Sequence, residues 1–231
     1  MVDNEKEQRF MIEWQELTAF AKKVSEQDHS GHGFDHIQRV VATAKQLAAQ
    51  TPEADTAVVL AAATMHDTYD DKLVPDVSIA KAAAQQEMVD AGMRADQVQM
   101  VLTIIDHMSF KANLQHHQSL PVEGQLVQDA DRLDAIGAIG IGRAFMYGGA
   151  HGGRMYDPDL PPRADLTAAQ YRTTEGTVIN HFYEKLLKLK DQLNTDAAKK
   201  MAMHRQQVME DFLTEFKAEW HGRRLGKAAL L

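Results

Sequence analysis

Two residues capable of chemistry, His66 and Asp67, stand side by side at the end of the apolar stretch Ala61-Ala62-Ala63-Thr64-Met65. From Val58 to Met65 there is no charge and no polar face, the pattern of a helix buried on all sides. Such a helix carries an imidazole and a carboxylate into the interior. An ionised carboxylate there costs several kcal/mol or more unless it is paired or bound to a metal. The dyad therefore needs partners from elsewhere in the chain, and His36 and Asp131 are suitably placed. His36 leads a helical stripe with Val40, Ala44, Leu47 and Ala48, although a core histidine satisfied by a backbone group would show the same spacing. Asp131 can face inward with Val127 and Asp134. The acidic residues there are interleaved with Leu126, Ala130, Leu133 and Ile136, which a solvated acidic face would not be.

Two imidazoles and two carboxylates form a nitrogen and oxygen set without sulfur. It suits one divalent ion, Mn²⁺ first, with Ni²⁺, Fe²⁺, Zn²⁺ or Mg²⁺ as alternatives. Six-coordinate geometry leaves positions for water and for a substrate oxygen. Such an ion acidifies water and polarises a phosphoryl group. Phosphoryl transfer then needs in-line placement and positive charge on the phosphate oxygens.

The elements that must position these groups read as helices. A first amphipathic helix spans 5–27, marked by Phe10, Trp14, Leu17 and Val24, and a polar, glycine-rich loop, Asp28-His29-Ser30-Gly31-His32-Gly33, follows it. The second helix begins near Phe34, and the third runs from Pro52 to the dyad. Further helices are expected at 77–92, at 94–107 and after Pro121. Gly137, Gly140 and Gly142 form a superficial glycine repeat. No strand or βαβ unit precedes it, so it reads as close helix packing rather than a dinucleotide loop. Tyr147 to Pro162 is the longest irregular stretch, a candidate lid or pocket wall. Two long helices, 165–194 and 195–221, close the chain. Val178, Phe182, Leu186, Leu189 and Leu193 form a core stripe there, with His181, Lys185 and Lys188 beside it, at a cleft or on a solvated edge. Ser109, Lys111, Arg143, Arg154 and Arg163 are candidate phosphate contacts, and His107 either lines the pocket or simply ends a helix.

The order His36, then His66-Asp67, then Asp131, each on its own helix, resembles the HD-domain metal-dependent phosphohydrolases. The segments Asp129 to Gly140 and Ile179 to Leu187 extend that resemblance, which covers roughly residues 18–220. It is nearest to the bacterial YpgQ type, and it implies a metal-dependent nucleotide pyrophosphohydrolase. The resemblance implies metal ligation by His36, His66, Asp67 and Asp131, and the pattern His66-Asp67-x-x-Asp70-x-Lys72 looks like one found in that bacterial branch. Asp70 would orient or protonate a reacting group, and Lys72 would contact a phosphate oxygen, with Lys111, Arg143, His181 and Lys185 as further substrate contacts. One departure stands out: Gly33 occupies the position after His32 where the resemblance leads one to expect an aspartate. The implied fold is an all-α single domain over 1–231, an HD helical core with a C-terminal helix pair.

Composition narrows the field. With 44% hydrophobic and 25% charged residues, the 231-residue chain reads as an ordinary globular protein. No apolar run reaches the roughly 18 residues of a membrane span, and the N-terminus has no signal-peptide pattern. There are no cysteines, which suits the cytoplasm and excludes thiolate sites. A formal net charge of -8 argues against duplex nucleic acid but not against a small phosphate ester or nucleotide in a local basic pocket. Assembly as a homodimer is left open. The favoured reaction converts a (deoxy)nucleoside triphosphate to monophosphate and pyrophosphate. Phosphomonoester hydrolysis, as by a 5'-nucleotidase, cyclic-nucleotide hydrolysis, and a non-catalytic nucleotide sensor are the alternatives.

Overall fold

The computed structural model describes residues 12–109, 118–163 and 176–223. Among them the regular structure is all helical, apart from an isolated bridge between Arg154 and Thr177. No helix among these residues is long and apolar enough to cross a membrane. The chain forms two compact units divided after Asp131.

The first unit contains α1 (Trp14–Ser25), α2 (Phe34–Ala48), α3 (Thr56–Met65), α4 (Val77–Asp90), α5 (Ala95–Met108) and most of α6 (Val122–Asp134). Helix α3 packs against α1, α2 and α5. That enclosure is what its uniformly apolar sequence demands: Val58, Val59 and Ala61 through Met65 are all buried. The helix starts later than its sequence implies. Thr51 to Ala54 form a turn, and Asp55 caps the helix by accepting from the amides of Ala57 at 2.9 Å and Val58 at 3.3 Å. Asp55 is itself pinned, since its amide donates to Glu123 at 2.9 Å and its second oxygen accepts from Gln97 at 3.0 Å. A capping carboxylate with fixed partners outweighs the proline start signal at Pro52.

The second unit contains α7 (Gly137–Ala150), α8 (Val178–Glu184), a 3₁₀ helix (Leu186–Gln192) and α9 (Asp196–Trp220). Helix α7 extends into the stretch expected to be irregular, which narrows to residues from His151 onward. Within the glycine repeat, Gly140 is the position with no room: a Cβ there would stand 2.2 Å from the Ala135 carbonyl oxygen. The long helix expected at 165–194 is broken where it is described. Lys185 leaves helical geometry, at φ -135° and ψ -62°, and the chain continues as a 3₁₀ helix. Leu186 and Leu189 are three residues apart, the period of that helix, so both stay buried along with Val178, Phe182 and Leu193. Residues 164–175 lie outside the described residues. Phe182 and Phe145 meet the α9 ring of Phe212 at 5.8 and 5.9 Å between centroids, and an aromatic column continues through Phe216 to Trp220.

Candidate metal centre

His36 sits in the first turn of α2, its amide donating to the Gly33 carbonyl at 2.9 Å. The loop before it is held by Asp28. That carboxylate accepts from the amides of Ser30 at 3.0 Å and His32 at 2.7 Å, and from the Ser30 hydroxyl at 2.6 Å. Burial pushes the Asp28 carboxyl up, but these donors outweigh it and hold it below the usual carboxylate range. Gly31 turns the loop with φ at 99°.

His66 and Asp67 follow α3 in a tight turn. Thr68 returns to the Met65 carbonyl through both its amide, at 3.0 Å, and its hydroxyl, at 2.7 Å. His66 Nδ1 lies 2.9 Å from the Ala63 carbonyl oxygen. A carbonyl only accepts, so the hydrogen belongs on Nδ1 and the neutral ring presents a bare lone pair at Nε2. That Nε2 is 3.1 Å from His36 Nε2. Asp67 Oδ2 lies 3.6 Å from His36 Nε2 and 3.4 Å from His66 Nε2. Asp131 Oδ1, from α6, lies 3.5 and 4.0 Å from the same two nitrogens. The four residues singled out from the sequence therefore converge within the first unit.

The convergence is short of hydrogens. Asp67 Oδ2 is buried and has no hydrogen-bond partner among the described residues. Burial pushes its carboxyl up, but the His66 and His36 imidazoles, helped by His32 and Lys72, pull it well below the usual range. Adjacent ligands of an octahedral ion with bonds of about 2.1 Å stand about 3 Å apart, and opposite ones about 4 Å. The observed separations, 3.1 to 4.0 Å, fall in that span. His36, His66 and Asp67 together meet the geometry of a metal-binding group. A divalent cation fits both the donor chemistry and the orphaned oxygen.

Asp70 and Lys72 lie just beyond the dyad. The Lys72 amide donates to Asp70 Oδ1 at 2.9 Å, and the ammonium stands 3.7 Å from Oδ2. Burial, with a further push from Asp67, holds the Asp70 carboxyl above its ordinary value despite the opposing pull of Lys72. Lys111 falls outside the described residues. His107 and Ser109 stand at the C-terminal end of α5 in the first unit, and the other sequence candidates belong to the second unit. Arg143 is committed to buried Asp134 at 3.1 Å. His181 is not a cation: burial, together with Lys185 and Arg163, pushes its pKa down to about 3. Beside it Arg163 grips Glu184 with two side-chain bonds, at 2.9 and 2.8 Å, and a third from its own amide at 3.0 Å.

Two residues near the dyad were not singled out from the sequence. His32 stands edge-on to His36, with ring centroids 6.2 Å apart, and its Nδ1 lies 3.3 Å from the Ser30 hydroxyl. The alternation Asp28-x-Ser30-x-His32 was its only trace. Tyr69, buried between Asp67 and Asp70, is the other.

Comparison with known proteins shows the family. The HD domain family model matches residues 33–136, a span that contains His36, His66, Asp67 and Asp131. YpgQ of Bacillus subtilis (strain 168) is 33% identical over 209 residues, covering 90% of this chain and 94% of that one. A crystal structure of YpgQ in complex with ADP matches with a TM-score of 0.69, at 32% identity over 88% of this chain and 97% of that chain. A Lactobacillus plantarum protein of known structure is 46% identical, with a TM-score of 0.83, over 90% of this chain and 96% of that chain. A Bacillus thuringiensis HD-superfamily hydrolase is 39% identical, with a TM-score of 0.69, over 90% and 97%. With its histidine, its His-Asp pair and its distal aspartate assembled in one unit and its similarity running along nine-tenths of its length, this chain belongs to the HD-domain superfamily of hydrolases, alongside YpgQ.

Proposed function

We propose that this chain is a metal-dependent phosphohydrolase that converts (deoxy)nucleoside triphosphates to monophosphate and pyrophosphate. The observation that carries the reading is the cluster itself: an oxygen of Asp67 and one of Asp131 each lie within 4.0 Å of both imidazole nitrogens, and one oxygen of Asp67 has no donor among the described residues. His36, His66, Asp67 and Asp131 would hold one divalent ion, Mn²⁺ by preference. Such an ion supplies the positive charge that polarises a phosphoryl group and acidifies water near neutral pH. The ADP complex of YpgQ supports a nucleotide as ligand.

The protein groups beside the cluster have complementary tasks. Asp70 keeps its proton to a higher pH than an ordinary carboxyl, which suits it to deliver a proton to a leaving oxygen. The Lys72 ammonium is half exposed and tied to Asp70 only at 3.7 Å, so it can turn to a phosphate oxygen. Asp28 fixes the loop that brings in His36, which keeps that imidazole in place while substrate is exchanged. The proposal rests on these first-unit residues alone. Arg143, His181 and Lys185 remain candidate substrate contacts.

Chromatography of products from a panel of ribo- and deoxynucleotides with several divalent ions tests the reading. Monophosphate and pyrophosphate from triphosphates are the expected products. Free phosphate released from monophosphates would replace it with a nucleotidase. Tight nucleotide binding with no turnover would replace it with a sensor.

A further inference from the structure

The turn that carries Asp67 and Asp70 is tied to a distant helix by one side chain between them. The Tyr69 hydroxyl donates to Asp106 Oδ1 at 3.2 Å and approaches the Leu102 carbonyl at 3.4 Å, both on α5. Asp106 is anchored in turn by Lys81 of α4, whose ammonium reaches Oδ2 at 2.5 Å and stands 5.8 Å from the Tyr69 ring centre. Apart from the approaches of His66 and Asp67 to His36 and Asp131, the other backbone and hydroxyl bonds of the turn among the described residues are local. Thr68 returns to Met65, the Asp70 amide returns to the Asp67 carbonyl at 3.1 Å, and the amides of Leu73 and Val74 close on the Asp70 carbonyl at 2.9 and 3.2 Å. Local bonds fix the shape of a turn. They do not fix its roll against the rest of the unit.

We propose that Tyr69 is a positioning residue for Asp70. This rests on the phosphohydrolase reading above. By anchoring the turn to α5 through Asp106, the hydroxyl sets the roll that keeps the Asp70 carboxyl near Asp67. The chain Lys81–Asp106–Tyr69 thus reaches the site from α4 and α5 without touching substrate. Tyr69→Phe keeps the buried ring and removes only the tie. Groups that orient a metal site from behind typically contribute 10–100-fold to activity or metal affinity. Here the loss falls on kcat, because the displaced group is Asp70 and not a metal ligand.

The test is a double-mutant cycle in nucleotide hydrolysis, with metal content read in parallel. Tyr69→Phe lowers kcat roughly tenfold, with KM and Mn²⁺ per chain unchanged. In an Asp70→Asn background the same substitution adds nothing. Asp106→Ala, which removes the acceptor instead, reproduces the pattern and keeps the test open should Tyr69→Phe fold poorly. Unchanged kcat, an equal loss with and without Asp70, or a loss of bound metal overturns the positioning role. A wild-type chain inert toward every nucleotide overturns the phosphohydrolase reading itself, and this one with it. The two failures are therefore distinct.

Discussion

His36 Nε2 and His66 Nε2 face each other at 3.1 Å, with ring planes 76° apart. With the His66 hydrogen held on Nδ1 by Ala63, a shared cation would satisfy this meeting under the proposed reading. Binding to the folded state alone stabilises it by about 2.7 kcal/mol at a hundred times the dissociation constant. For a chain of this size that is a rise of roughly 5–10 °C in Tm. Scanning calorimetry with Mn²⁺ should show the rise and a chelator should reverse it. His66→Ala should abolish the response.

Under the proposed reading, Lys72 contacts a substrate phosphate. A charge-assisted hydrogen bond contributes about 1.5–3 kcal/mol, so Lys72→Ala should raise KM for a triphosphate roughly tenfold or more. Metal content should stay the same. Steady-state kinetics with parallel metal analysis decides: an unchanged KM removes Lys72 from the substrate contacts.

Glu184 and Arg163 make a pair with a pH signature in the second unit. Burial pushes the Glu184 carboxyl up, but the Arg163 bonds outweigh it, so its folded pKa lies below the ordinary 4.5. The contribution of such a group is present above 4.5 and is lost as pH falls through the folded value. Glu184→Gln leaves a partly buried guanidinium short of its counter-charge and should cost about 1–3 kcal/mol near neutral pH. The deficit should shrink below pH 4.5, which thermal melts across pH would show.

His181 has a different signature. With its pKa pushed down to about 3, the ring stays neutral across physiological pH. The unfolded chain takes up a proton near 6.5 and the folded one does not, so this residue erodes stability as pH falls from 6.5 toward 3. Ring carbon shifts followed by NMR should show no titration of His181 between pH 5 and 8. A midpoint near 6.5 would contradict the depressed pKa.

Much of the site was legible because its cost was legible. A helix with no polar face that ends in His66-Asp67 must be enclosed, and its carboxylate must find a counterpart, for which His36 and Asp131 are suitably spaced. What escaped the sequence was set by contacts at long range. Tyr69 looks like one residue of a charged loop, and its partner Asp106 is 37 positions away. The later start of α3 depends on Asp55 meeting Glu123 and Gln97, which no local propensity encodes. The break at Lys185 escaped because leucines three and four apart fit an α-helix as well as a 3₁₀ helix. His181 and Lys185 lie on adjacent turns, and spacing alone did not show that burial would strip the charge from His181.

Metal content per chain, measured by elemental analysis after loading with Mn²⁺ and removal of free ion, tests the central claim most directly. About one ion per chain in the wild type, and essentially none in Asp67→Ala, is the outcome expected of a cluster that binds through the oxygen left without a donor among the described residues. An Asp67→Ala chain that still retains a full equivalent, or a wild type that retains none, would contradict it.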